Sequence, residues 1–226
     1  MSVIIPSGGS YGLYSNSDLS NPQSFTKLIW AQFAGTPAAS TKLLSAENST
    51  AVDMAALGAG YTSGDLQLVT VPSTATWTNF PSQPDWTNWN CYALTGTTAG
   101  ANSLKGYWQD NAGGGFVSQS MTGLAFTNYV DSIGIGTINE SYTAAFYMEW
   151  DIPLTAAQLA LQFGLSTPVV ALANLWRYLP LVTVASAGDD LSENSYDMAT
   201  SGLSLGASSP TFAGATRQSM MLMGAG

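Results

Sequence analysis

Histidine is absent from this sequence, and charge of either sign is scarce. Five basic and fourteen acidic side chains make up 8% of 226 residues, against about 25% in an ordinary soluble domain. Without histidine there is no Ser-His-Asp or Cys-His nucleophile and no His-based metal site. Lys27, Lys42, Lys105, Arg177 and Arg217 are the only basic residues. They are scattered and form no patch that could neutralise several phosphates, so direct nucleic-acid binding by this chain is not expected. Cys91 is the single cysteine, which excludes an intrachain disulfide and reads as a small buried thiol. Neither GxxxxGK[ST] nor GxGxxG occurs, so a glycine-rich phosphate cradle is not expected. No apolar run approaches the ~20 residues that span a bilayer. The first nine residues have no charged start and only three consecutive apolar positions. They do not read as a signal peptide, and export by the usual route is not expected. The sequons at Asn48 and Asn139 then read as chance matches.

What is present is apolar and hydroxyl- or amide-rich. Hydrophobic residues make up 46% and the formal net charge is −9. That is enough apolar material for a sizeable core, and the low charge is not the signature of disorder. Solubility rests on Ser, Thr, Asn and Gln. A surface so poor in charge suits burial against copies of the same chain.

The clearest element is Tyr142 to Leu154. Tyr142, Ala144, Phe146, Met148, Trp150, Ile152 and Leu154 alternate with Thr143, Ala145, Tyr147, Glu149, Asp151 and Pro153. Period two predicts a long half-buried strand with Glu149 and Asp151 on its polar face. Shorter strands are expected over Phe25–Phe33, Leu66–Val71, Thr74–Phe80, Trp86–Leu94, Leu104–Gln109, Phe116–Met121, Leu124–Ile133 and Pro180–Ala185. Gly, Pro and Asn turns separate them, which reads as a sandwich or barrel. Helix is expected only over Ser49–Leu57 and Thr155–Phe163, the latter capped by Thr155 and ended by Gly164. Val169–Leu179 fits helix or strand, and its apolar character leaves membrane contact open. The expected fold is thus all-β, a single jelly-roll β-sandwich with few short helices and extended terminal arms. Its divisions are an N-terminal arm (1–23), the sandwich (24–187), and an acidic loop with a C-terminal arm (188–226).

Three groups of residues invite a functional reading. Glu149 with Asp151 or Glu140 is the best candidate for a glycosidase carboxylate pair. The favoured reading of Glu149 and Asp151 is nonetheless a polar strand face or an inter-subunit contact. Trp77, Trp86 and Trp89 lie among Asn and Thr, a setting that suits sugar stacking or packing in a core or interface. Packing is favoured, and Met220, Met221 and Met223 join them as interface candidates. Asp189, Asp190, Glu193 and Asp197 bring four carboxylates together. They are read as a solvated loop, or as oxygen ligands for calcium shared between subunits. No other cofactor is expected.

The stretch Ser141–Thr155 resembles the last core strand of small icosahedral virus coat proteins of the tombusvirus-like type. Tyr147, Glu149, Trp150, Ile152 and Leu154 match the Tyr-x-Glu-Tyr-x-Val-x-Leu pattern in type. The resemblance implies a jelly-roll capsid subunit of a virion, assembling in many copies, with other virion proteins as further partners and without enzymatic activity. The basic arm of that family is absent here. Under this reading the terminal arms lie along neighbours, and deletion of Met198–Gly226 leaves a folded, assembly-defective chain. Two alternatives stand beside it: a carbohydrate-active β-sandwich, either hydrolase or binding module, and a phage tail or fibre adhesin domain.

Overall fold

The computed structural model describes residues 2–6, 12–15, 24–39, 41–47, 54–59, 64–71, 76–97, 103–111, 116–122, 132–135 and 140–212. Their strands, in chain order, are β1 (Ser2–Ile5), β2 (Gly12–Ser15), β3 (Ser24–Gln32), β4 (Lys42–Glu47), β5 (Met54–Ala59), β6 (Leu66–Val71), β7 (Thr76–Asn79), β8 (Asn90–Thr97), β9 (Ser103–Asp110), β10 (Val117–Thr122), β11 (Ser132–Ile135) and β12 (Tyr142–Trp150). Helix α1 (Ala156–Phe163) and a 3-10 turn (Leu172–Asn174) follow, then β13 (Leu175–Leu179), β14 (Ala199–Ser201) and β15 (Ser204–Gly206).

The strands form two antiparallel sheets. The first runs β10-β9-β8-β3-β12-β1-β15, with β13 also paired to β12. The second runs β14-β2-β11-β4-β5-β6-β7. Between them lies a core that includes Ile29, Phe33, Leu44, Leu68, Tyr92 and Tyr142. A second cluster covers the outer face of the first sheet, where α1 packs Leu159 and Phe163 against Leu28, Trp30 and Trp150. The first sheet is therefore buried on both faces. That is why the middle of β3 reads as a nearly unbroken buried run, Phe25 to Ala31, in place of strict alternation.

Helix α1 forms as its sequence predicts. Thr155 and Gln158 make a reciprocal capping box, and Gly164 ends the helix. The other expected helix does not form where it can be seen. Met54–Ala59 is a strand hydrogen-bonded to β4 on one side and β6 on the other. Pairing on both edges overrides the helical preference of its Met, Ala and Leu residues; residues 48–53 lie outside the described set. Val169–Leu179 resolves into the 3-10 turn and β13. Pro180–Ala185, expected as a strand, is irregular chain leading into a turn, with Leu181 at φ 54°. Most of the expected strand Leu124–Ile133 lies outside the described residues. Both chain ends supply strands. Within the segment read as an N-terminal arm, β1 pairs with β12 and β2 with β11. Within the C-terminal one, β15 pairs with β1 and β14 with β2.

Strand β12 departs most usefully from its pattern. Its pairing with β3 shifts between Ala145 and Met148, where Phe146 takes φ 52°. Such a bulge adds one residue to one strand and inverts the alternation beyond it. Tyr142 and Ala144 face the inter-sheet core, and after the bulge Tyr147 does too. Ala145, Met148 and Trp150 face the cluster beneath α1. Glu149, two residues after Tyr147, therefore points between the sheets.

Candidate functional site

The three tryptophans separate on folding. Trp86 packs edge-on against Phe33, with ring centroids 5.3 Å apart, and stacks on Tyr92 at 6.0 Å. Trp89 belongs to the cluster beneath α1. Both are buried within the chain's own clusters, so neither is offered as an interface residue by the single chain. Trp77 is 45% exposed, and it is the only aromatic among the large exposed apolar side chains of the described residues. Met220, Met221 and Met223 lie outside the described residues.

Trp77 sits on β7, an edge strand of the second sheet. Its register partner is Val69, and Asn79 pairs with Gln67. Since Leu66 and Leu68 of β6 fill the inter-sheet core, Trp77 and Asn79 lie on the outer face of that sheet. The Gln67 amide donates to Asn79 Oδ1 at 2.6 Å. The Gln119 amide donates to the Asn79 carbonyl at 2.6 Å and ties β10, the edge of the first sheet, to β7. Asn79 itself is exposed. With its Oδ1 held by Gln67, its amide nitrogen remains as an outward donor. The result is an exposed indole beside a fixed amide, on a strand without a charged residue. Such a surface can stack on an apolar ring face and hydrogen-bond hydroxyls at its rim.

The proposed carboxylate pair is not assembled. Glu149 is 1% exposed and lies between two cations from neighbouring strands. Its Oε2 accepts from Arg177 Nη1 at 3.2 Å and from the Tyr147 hydroxyl at 3.0 Å, and its Oε1 is 3.9 Å from Lys27 Nζ. Lys27 reaches across the sandwich to the Ser45 carbonyl at 2.5 Å, and Arg177 Nε donates to the Tyr196 carbonyl at 2.6 Å. Burial, and then the charge of Glu149, push the Tyr147 hydroxyl well above its usual range. This is an internal clasp joining β3, β12, β13 and the facing sheet. It corrects the expectation that Glu149 lies on a polar strand face or at an inter-subunit contact. Asp151 is exposed just past the end of β12, and Glu140 precedes its other end, so neither shares a cleft with Glu149. The bulge at Phe146, which the amino-acid pattern does not announce, is what turned Glu149 inward.

The acidic loop also has a structural role. Asp190 Oδ1 accepts from the backbone N–H of Tyr178 at 2.8 Å and of Ser192 at 2.9 Å. Its Oδ2 accepts from the Ser192 hydroxyl at 2.7 Å and the Tyr196 N–H at 2.8 Å. Asp197 Oδ1 accepts from the Asp190 N–H at 2.8 Å. Asp189 and Glu193 are exposed and take no part. With Asp190 saturated by N–H and O–H donors, the four carboxylates do not converge. Among the described residues no group of three or more Asp, Glu, Cys or His is placed to hold a metal, so within one chain Asp189, Asp190, Glu193 and Asp197 do not form a ligand set.

No protein-family model matches the chain, and no curated protein matches it in sequence. Solved structures do match in fold. A Bacteroides ovatus protein described as carbohydrate binding superposes with a TM-score of 0.57 at 14% identity, over 90% of this chain and 59% of its own. Tailspike protein 2 of the Escherichia coli bacteriophage CAB120 superposes with a TM-score of 0.53 at 11% identity, over 80% of this chain and 28% of its own. The enzymatically active domain of the bacteriophage CBA120 tailspike protein 2 gives 0.53 at 13%, over 80% and 32%. The chain is a jelly-roll β-sandwich. It spans little more than half of the first of these proteins and a third or less of the tailspikes. At these identities the likeness is one of fold.

Proposed function

We propose that the chain is a carbohydrate-binding β-sandwich module whose ligand stacks on Trp77. The observation that carries this is the position of Trp77: the one exposed aromatic of the described residues, beside the Asn79 amide on a strand without a charged residue. A pyranose presents an apolar C–H face to the indole and hydroxyls to the amides around it. Among the described residues, β7 and the strands beside it, β6 and β10, carry no cation, which suits a neutral sugar. Binding without hydrolysis is the form of the proposal, since Glu149, the best catalytic candidate, is locked in an internal ion pair. The fold shared with a protein described as carbohydrate binding and with phage tailspikes supports this reading over a shell-forming coat subunit. The coat-protein resemblance rests on residues 141–155, and the acidic residue that marks that strand faces the interior.

The test is a screen of immobilised neutral glycans, followed by calorimetry on the best ligand. Trp77→Ala removes an aromatic platform worth about 1.5–3 kcal/mol on burial. That corresponds to roughly 10- to 150-fold weaker binding, with the β-rich circular dichroism spectrum retained. Trp77→Phe retains part of the affinity. A Trp77→Ala protein that binds as tightly as the parent overturns the site, and a parent that binds no glycan overturns the function.

A further inference from the structure

We propose that the Trp77 face selects 2-acetamido sugars, with the Asn79 amide donating to the acetamido carbonyl and Gln67 as the residue that sets the direction of that bond. This rests on the sugar-binding reading and names the class of sugar.

The spacing fits one sugar unit. Side chains alternate along β7, so Trp77 and Asn79 share the outer face, while Thr78 sits opposite core-facing Leu68. Two residues of strand separate Trp77 from Asn79 by about 7 Å, the span of a pyranose ring with one substituent. Behind them on β6 stand Val69 and Gln67, 6% and 2% exposed. The surface offered by these four residues is therefore the indole and the Asn79 amide.

The polarity of that amide is fixed from below. The buried Gln67 Nε2 donates to Asn79 Oδ1 at 2.6 Å. An NH2 group cannot accept, so a turned Asn79 would set one NH2 against another. The outward group is thus the Asn79 NH2, and the indole N–H of Trp77 likewise only donates. Gln119 adds no acceptor, since its Oε1 takes the Ser120 N–H at 2.9 Å while its Nε2 donates to the Asn79 carbonyl at 2.6 Å. The face combines a flat apolar plate with donors and no charge.

Such a face calls for an acceptor next to apolar surface. A sugar hydroxyl carries its proton on the same oxygen that accepts, and that proton finds no partner here. An acetamido carbonyl oxygen only accepts. Its planar trans amide turns the N–H away from the carbonyl, toward solvent, and its methyl group adds apolar contact with the indole.

Isothermal titration of the full chain with chitotetraose and with cellotetraose tests this, because the two share a backbone and differ in 2-acetamido against 2-hydroxyl. The methyl glycosides of N-acetylgalactosamine and galactose form a second pair. The expected result is binding at least about fivefold tighter for the acetamido member of a pair, the worth of one neutral hydrogen bond. Asn79→Asp keeps an oxygen for Gln67 but replaces the outward donor with an acceptor, so the ratio should fall to about one. Gln67→Met keeps the side-chain length, releases the amide to turn and should narrow the ratio. Trp77→Ala should weaken both members and leave the ratio in place. Circular dichroism checks that each variant is folded, and a ratio is not moved by a merely structural loss. A hydroxyl member that binds as tightly as its acetamido partner overturns the proposal and leaves the sugar-binding reading standing. So does a folded Asn79→Asp protein with the parental ratio, or a best neutral glycan that lacks an acetamido group. A parent that binds no glycan overturns both.

Discussion

Glu149→Gln isolates the clasp between the sheets. The substitution keeps the volume and an acceptor for Tyr147 and Arg177 but removes the charge. It leaves Arg177 and Lys27, 0% and 1% exposed, facing a neutral amide. Breaking a buried ion pair on one side costs about 3–5 kcal/mol, because the remaining charge stays desolvated. The low end applies here. Gln retains a hydrogen-bond acceptor, Lys27 keeps the Ser45 carbonyl, and Arg177 keeps the Tyr196 carbonyl. A loss near 3 kcal/mol lowers the melting temperature of a domain this size by roughly 6–12 °C. Urea unfolding followed by tryptophan fluorescence measures it, with m unchanged if the unfolded state is unaltered. The companion variant Lys27→Met, Glu149→Leu, Arg177→Leu removes all three charges. It should recover much of the loss, since an apolar replacement of a buried ion cluster is often neutral. A Glu149→Gln protein within about 1 kcal/mol of the parent refutes the clasp. A Glu149→Gln protein of parental stability that loses a glycan-hydrolysing activity restores the catalytic reading in its place.

Cys91 is fully buried, and burial raises its thiol well above the usual range. It should resist an aromatic disulfide reagent in buffer and react stoichiometrically in denaturant; fast labelling of the native protein contradicts the packing. A Cβ at Gly106 would lie 2.7 Å from Phe80 Cζ and 2.8 Å from Leu68 Cδ2. Gly106→Ala should therefore destabilise by about 1–3 kcal/mol through overpacking, read by denaturant titration. The hydroxyl and N–H of Thr87 hold the Asp85 carboxyl below its ordinary value of 3.8. This turn's contribution is present above that value and is lost as pH falls through the lowered one. The Thr87 amide resonance should then titrate with a midpoint under 3.8, and a midpoint at or above it contradicts the bond. Deletion of 198–226 should abolish cooperative unfolding. It removes Met198 from the core and both β14 and β15 from the sheets, so a folded truncated chain would show that these strands are dispensable.

Much of the architecture was legible because local chemistry and final environment agreed. Leu66–Val71 is a strand with the expected bounds, and Thr155 with Gly164 announces α1. Other parts were illegible for definite reasons. Met54–Ala59 consists of residues that suit a helix, and only its two neighbouring strands make it extended. β1, β14 and β15 are too short to show a period, and they exist because distant strands offer edges to them. Trp77 and Trp86 share one chemical setting in the sequence. Which of them is exposed depended on β7 lying at a sheet edge while Trp86 folded over Tyr92 and Phe33.

The sequence by itself determined the class of the molecule: an apolar, charge-poor, β-rich chain without histidine chemistry or a basic patch. Those properties are sums over residues and do not depend on where each one goes. Tertiary structure alone decided the positions that matter for function. One extra residue at Phe146 inverted the pleat and drew Glu149 between Lys27 and Arg177, turning a candidate catalytic acid into an internal clasp. The saturation of Asp190 by backbone donors and the outward face of Trp77 were decided in the same way. A side chain's role follows from which partners reach it first, and strand pairing sets that, not composition.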